Sequence, residues 1–276
     1  SEASFAGYRR ARPFVSPSFR RLAAVGAQTE DYAKRFSALG VPAERIRVAD
    51  SLKWEVALPA AVHADAERLA AEMGVDRNRP LVVAVSTGPG EERALVEGRP
   101  ESVQLMVVPR KPERFEEVAA LGPWVRRSTG PGGGSAANGE GEPADLFLVD
   151  TMGEAEAATA LGDVVVLGRS WNGLGGSNPV PPAMLGRPAV IGPDHQNFGE
   201  MVDALVGAGA LAVASDPWSD VVPLLSDPDA AARMSAAGPA AVRAHAGATD
   251  RNVALVRDAL EAARERKSSE EQRLRR

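Results

Sequence analysis

The chain has 276 residues, no cysteine and three widely separated histidines, His63, His195 and His245, which excludes a disulfide framework and a cysteine- or histidine-rich metal site. With 44% hydrophobic and 25% charged residues it has the composition of a globular protein, and its apolar runs fall short of the roughly 18 residues of a membrane span. The net charge of −5 is uneven: residues 1–21 carry +4, residues 264–276 carry +3, and the stretch between holds −12, which argues against a nucleic-acid groove and leaves the basic ends to an anionic membrane surface or to solvent.

Residue 1 is Ser, and the chain opens inside what reads as a polar helix end, so a piece of a longer protein is expected. Short apolar runs then alternate with helical patterns. Strands are predicted at Leu22–Gln28, Ile46–Ala49, Leu81–Ser86, Val103–Val108, Asp145–Val149, Val164–Gly168, Ala189–Gly192 and Leu211–Ala214. Runs such as LVVAVS and DVVVLG lack polar alternation, as strands covered on both faces of a parallel sheet do. Helices are predicted at Glu30–Leu39, Ala60–Gly74, Pro112–Leu121, Glu154–Leu161, Pro182–Leu185, Phe198–Gly207, Asp227–Ala244 and Arg251–Arg266. The second places Val62, Ala66, Leu69, Ala70 and Met73 on one face and ends on Gly74, a fitting helix C-terminal residue. This alternation predicts an α/β doubly wound sheet. Ala57–Pro59 reads as a linker, and the glycine-rich residues 129–143 as a flexible insertion without the Lys-Ser/Thr of a phosphate-binding Walker loop.

Ligands of open parallel sheets bind outside the carboxyl ends of the strands, so the segments there are the candidate site. Ser86-Thr87-Gly88-Pro89-Gly90-Glu91-Glu92 leads into a helix start that suits an anion or an ordinary cap. Arg110 and Lys111 follow the next strand, suited to phosphate or carboxylate, with a structural salt bridge as the alternative. In Asp150-Thr151-Met152-Gly153-Glu154, exposed N–H groups and a carboxylate suit a base edge or ribose, or again a cap. Gly168–Pro179 clusters glycines, with Gly175 and Gly176 permitting close backbone approach and Asn178 capping a helix that opens on Pro179. His195, in Gly192–Phe198, reads as a surface histidine making one hydrogen bond.

The ordered set AQTEDYAKRFSALG (Ala27–Gly40), DSLKWE (Asp50–Glu55), STGPGEE (Ser86–Glu92), PRKPERF (Pro109–Phe115), DTMGEA (Asp150–Ala155), GGSNPVPPA (Gly175–Ala183) and GPDHQNF (Gly192–Phe198) resembles the 3-deoxy-D-manno-octulosonic acid (Kdo) transferases of lipopolysaccharide synthesis. The resemblance implies a GT-B glycosyltransferase fold: the last elements of an acceptor domain at 1–57, a complete Rossmann-like donor domain at 58–246, and a crossover helix with a charged tail at 247–276. It implies transfer of Kdo from CMP-Kdo to a lipid A precursor, with inversion, no cofactor and no metal at the sugar, at the cytoplasmic face of the inner membrane. Ser86 and Thr87 would then lie near the donor phosphate and carboxylate, and Arg110 and Lys111 beside the anionic donor. Met152, Gly153 and Glu154 would hold the cytidine end, and Gly175, Gly176, Ser177 and Asn178 the phosphate and ribose side.

The departures concentrate at that site. Gly88, Lys111 and Ser177 stand where the family has histidine, and Pro181 where it has a glutamate expected to hold the ribose hydroxyls. A proline side chain cannot accept those hydrogen bonds. The family's membrane anchor and the carboxylate base acting on the acceptor are expected upstream of Ser1, so these residues alone are expected not to complete transfer. A GT-B transferase or epimerase with another nucleotide-sugar donor stays open, as does a non-catalytic nucleotide-sugar binding module.

Overall fold

The computed structural model describes residues 2–130 and 144–274. Within residues 129–143, read as a flexible insertion, positions 131–143 lie outside the described residues. The chain divides into two compact units, residues 1–55 with 245–276, and residues 56–244.

The first unit begins with α1 (Glu2–Arg10) and α2 (Arg12–Phe19), followed by β1 (Val25–Ala27), α3 (Glu30–Leu39) and β2 (Ile46–Val48). β1 and β2 pair in parallel. α3 forms between clear local signals. The Thr29 side chain accepts a hydrogen bond from the Tyr32 amide at 3.3 Å, and Gly40 closes the helix at φ +113°. No side chain but hydrogen is comfortable there. Residues 22–24 and 28, predicted as strand, lie outside the ladder because β1 has a single partner.

The second unit runs α4 (Val62–Met73), β3 (Leu81–Thr87), α5 (Glu91–Glu97), β4 (Gln104–Pro109), α6 (Phe115–Ala119), β5 (Val125–Arg126), β6 (Leu146–Leu148), α7 (Ala155–Leu161), β7 (Val164–Leu167), α8 (Val180–Met184), β8 (Ala189–Ile191), α9 (Gly199–Gly207), β9 (Ala212–Val213), α10 (Val221–Ser226) and α11 (Pro228–Ala244). Its seven strands form one parallel sheet in the order β5-β6-β4-β3-β7-β8-β9. The continuous apolar runs have the expected consequence. Leu81, Val82, Val83, Ala84, Val164, Val165 and Val166 have no solvent exposure, because helices cover both faces. One face packs Val82, Leu105, Leu148 and Val166 with Leu95, Trp218 and Val221. On the other, α7 lies against β3 and against α4, whose Val62, Ala66, Leu69, Ala70 and Met73 are all buried.

Three predicted helices differ in their bounds. The Pro112–Leu121 helix is a 3-10 turn at Pro112–Arg114 followed by α6. The helix predicted to open on Pro179 begins at Val180, and the Asn178 carboxamide oxygen accepts from the Val180 amide at 3.0 Å. The C-terminal helix, α12 (Ala248–Leu274), is longer than the predicted Arg251–Arg266. It belongs to the first unit and lies against β1, where Leu255 is 8% exposed while Val253, Val256 and Leu260 face solvent. A Cβ on Gly26 would stand 2.6 Å from the Asn252 carboxamide, so this glycine lets helix and strand approach. Among the described residues no helix is long and apolar enough to cross a membrane.

Candidate functional site

Strand order reverses between β3 and β7: the chain moves outward from β3 through β4, then returns to place β7 on the other side. A crevice at the carboxyl ends of two such strands is where ligands of doubly wound sheets settle. All strands run parallel, so the loops after β3, β4, β6, β7 and β8 emerge at one edge. These loops, with Ser86 and Thr87 at the end of β3, contain every sequence-predicted site residue.

The β3 loop opens with an irregularity. The register with β4 slips between Val85 and Thr87, and the residue between, Ser86, takes φ +56°. Left-handed backbone in a non-glycine residue costs free energy, so the fold enforces this kink. Thr87 is 1% exposed, and its hydroxyl oxygen finds no hydrogen-bond partner among the described residues. Its carbonyl accepts from the Arg110 amide at 3.2 Å, which sets the Arg110 backbone beside it. The Arg110 and Lys111 side chains are exposed and form no ion pair with a described residue. The structural salt bridge that sequence left open for Arg110 is therefore not made among the described residues.

The two glutamates that follow do something the sequence reading missed. Glu91 is 4% exposed, and its carboxylate accepts four backbone N–H bonds: from Gly88 at 2.8 Å and Arg169 at 2.6 Å on one oxygen, from Ser170 at 2.8 Å and Trp171 at 3.1 Å on the other. Glu92 is fully buried and takes a two-pronged bond from the Arg114 guanidinium. That bond, with the exposed Glu117, raises the Arg114 pKa further. Two acids in a helix's first turn resemble capping in sequence. Here they fasten α5 to the loops after β7 and β4.

The β6 loop is fixed similarly. Asp150 accepts from the Ser128 amide at 2.8 Å, the Ser128 hydroxyl at 2.6 Å and the Arg126 guanidinium at 2.7 Å. Burial pushes its pKa up, but the Ser128 bonds and the Arg126 charge outweigh this and hold it below the usual aspartate value. Glu154 accepts from Arg127 at 3.0 Å and from the Thr151 hydroxyl, and Arg127 also pairs with Glu72 at 2.6 Å. Gly153, at φ +87°, has open space where a Cβ would be, and Met152 is 69% exposed. The backbone turn is thus held from below and accessible from above.

In the β7 loop Gly175 and Gly176 take φ +85° and +80°. The approach they permit is to the β8 loop. A Cβ on Gly175 would strike the Asn197 carboxamide, and one on Gly176 would come within 3.0 Å of the His195 backbone. The Gly176 amide donates to the Arg169 carbonyl at 2.7 Å. Ser177 is 9% exposed with its hydroxyl unpartnered among the described residues, and Pro181 is half-buried. His195 contacts the Gly192 carbonyl through Nδ1 at 2.8 Å, the single hydrogen bond anticipated for it.

Known proteins match this arrangement. The profile of the 3-deoxy-D-manno-octulosonic-acid transferase (kdotransferase) family matches residues 1–56. The chain is 32% identical to a 3-deoxy-D-manno-octulosonic acid transferase of Bordetella pertussis, covering 85% of the chain and 56% of the relative. To the enzyme of the same name from Haemophilus influenzae it is 28% identical, covering 92% and 61%. The chain thus spans less than two thirds of the length of these curated relatives. Among solved structures, the C-terminal CMP-Kdo binding domain of WaaA from Acinetobacter baumannii aligns with a TM-score of 0.58 and 29% identity, over 67% of this chain and 99% of that one. HepE from Anabaena, solved with UDP-glucose, shares the fold at a TM-score of 0.50 and 15% identity, over 92% and 67%. Sequence and fold agree: the chain is similar to the 3-deoxy-D-manno-octulosonic acid transferases and has a GT-B type α/β fold.

Proposed function

We propose that this chain carries the donor-binding part of a glycosyltransferase that moves Kdo from CMP-Kdo to a lipid A precursor in lipopolysaccharide biosynthesis. The observation that carries the reading is the edge at the β3–β7 reversal, where the Arg110 amide is bonded to the Thr87 carbonyl, the exposed Arg110 and Lys111 form no ion pair with a described residue, and the buried Thr87 hydroxyl has no partner among the described residues. In the Acinetobacter baumannii protein the matching domain is one that binds CMP-Kdo.

In this reading Arg110 and Lys111 receive the negative charge of the donor, with Ser86 and Thr87 beside its phosphate and carboxylate. Met152 and Gly153 offer an accessible turn to the cytosine and ribose, and Glu154 holds that turn through Thr151 and Arg127. Gly175, Gly176, Ser177 and Asn178 border the phosphate and ribose. In the transfer, the acceptor hydroxyl gives its proton to a general base and its oxygen bonds to the anomeric carbon as the bond from that carbon to the phosphate oxygen breaks. The electron pair leaves with CMP, and positive side chains fixed where that charge grows lower the barrier. The acceptor and the inner-membrane face are part of the same proposal. In the first unit Arg10, Arg12, Arg20 and Arg21 are exposed without an acidic partner among the described residues, and Phe14 is 87% exposed between them in sequence. Such a surface suits phosphorylated, apolar lipid.

A second reading rests on Pro181, which cannot accept a ribose hydrogen bond: the donor is a different nucleotide sugar, or the site binds without turnover. Calorimetric titration of the chain with CMP-Kdo, CMP and UDP separates these. The proposal expects CMP-Kdo and CMP to bind at least about tenfold more tightly than UDP, roughly 1.4 kcal/mol. A preference for UDP supports another donor.

A further inference from the structure

Glu91 lies at the point where the sheet reverses, yet its carboxylate is turned inward. Its four N–H partners come from two loops distant in sequence, Gly88 after β3 and Arg169 to Trp171 after β7. These loops are in close contact. A Cβ on Gly168 would stand 2.5 Å from the Thr87 Cα, and one on Gly88 would stand 2.6 Å from the Asn172 carboxamide. Arg169 is itself held at φ +61°, a conformation that persists only where surrounding bonds impose it. Converging backbone N–H groups of this kind make an anion site. Here the anion is part of the chain.

We propose that Glu91 is the positioning residue of the donor site. It fills the N–H nest between β3 and β7, so the donor phosphate is received outside that nest, and it fixes the loop that bears the phosphate-side residues. The linkage is direct: Glu91 holds the Arg169 amide, and the Arg169 carbonyl accepts from Gly176 at 2.7 Å, immediately before Ser177 and Asn178. Glu91 does not touch the donor. The inference rests on the donor-site reading above.

The test uses the whole chain with Glu91→Gln. Glutamine keeps the size but replaces one acceptor oxygen by an NH2 group facing two N–H donors, so two of the four bonds are lost. Two readouts are expected. Amide exchange at Arg169, Ser170 and Trp171 accelerates at least about tenfold, while β4 and β6 stay protected. Binding of CMP weakens at least about tenfold while binding of cytidine, which lacks the phosphate, stays within about twofold. A structural role alone lowers both affinities together or neither. If Glu91→Gln does not fold, Glu91→Asp, which keeps the charge and shortens the reach, carries the same comparison with a smaller change. Unchanged exchange at residues 169–171, or an unchanged ratio of CMP to cytidine affinity in a folded variant that binds CMP, overturns the proposal. Failure of the unsubstituted chain to prefer CMP over cytidine sinks the donor-site reading instead, and the exchange result still decides whether Glu91 holds the loop.

Discussion

At the scale of single residues, the proposed donor site separates groups that hold the loops from groups left exposed for a ligand. Arg110 is offered: it is exposed and has no acidic partner among the described residues. Arg110→Ala is expected to weaken CMP binding by about 1.5–3 kcal/mol, the range of a charge-assisted hydrogen bond, without lowering the unfolding midpoint. A calorimetric titration beside a urea melt checks both. Glu92 is a holder. Removing it as Glu92→Ala leaves the half-buried Arg114 with the exposed Glu117 alone and is expected to cost about 1–3 kcal/mol of stability by urea unfolding. Asp150 is another holder, with a pH signature. Its folded pKa is depressed, so its stabilisation is complete above the unfolded aspartate value of about 3.9 and fades as pH falls through the lower folded value. The gap between urea melts of the unsubstituted chain and Asp150→Asn is expected to begin narrowing below about pH 4 and to close as pH falls through the lower folded value. A gap that does not change with pH contradicts this account of Asp150. Arg110 and Lys111 could be singled out in sequence because they follow directly on the apolar run that forms β4. The inward roles of Glu91, Glu92 and Asp150 could not, since a carboxylate that caps a helix and one that ties distant loops look alike until the partners are placed.

At the scale of elements, sequence located the central strands well. β3, β4 and β7 are unbroken apolar runs of a kind parallel sheets require. It located the edges poorly: β5 and β9 have two residues each, too few for any periodicity. α5 and α10, seven and six residues long, fall short of the two turns on which a helical pattern rests. α11 shows why propensity misleads. Gly238 is buried within it, a position where alanine would ordinarily gain about 1 kcal/mol. A Cβ there would stand 2.5 Å from the Ala183 carbonyl oxygen of α8 and 3.0 Å from its Cα. Gly238→Ala is therefore expected to destabilise the chain by about 1–3 kcal/mol by forcing α11 off α8, read as a lower thermal midpoint. A higher midpoint contradicts that packing.

At the scale of the whole molecule, two compact units share one chain, and the C-terminal helix belongs with the N-terminal residues. Sequence marked a linker at Ala57–Pro59, next to the observed division at Glu55 and Val56, because a proline-bearing stretch interrupts the strand and helix rhythm there. Five loops far apart in sequence reach one sheet edge, which alternation alone predicts once the strands are parallel. The altered positions Gly88, Lys111 and Ser177 fall in these same loops and Pro181 in the first turn of α8, so the donor question is settled by where a nucleotide binds. Backbone amide NMR of the chain titrated with CMP and, separately, UDP tests this directly. The account predicts that CMP shifts amides at 86–88, 110–111, 151–154 and 175–178, and that UDP at equal concentration leaves them nearly unmoved. Shifts confined to other parts of the chain, or equal shifts with UDP, contradict a CMP-Kdo site at this edge.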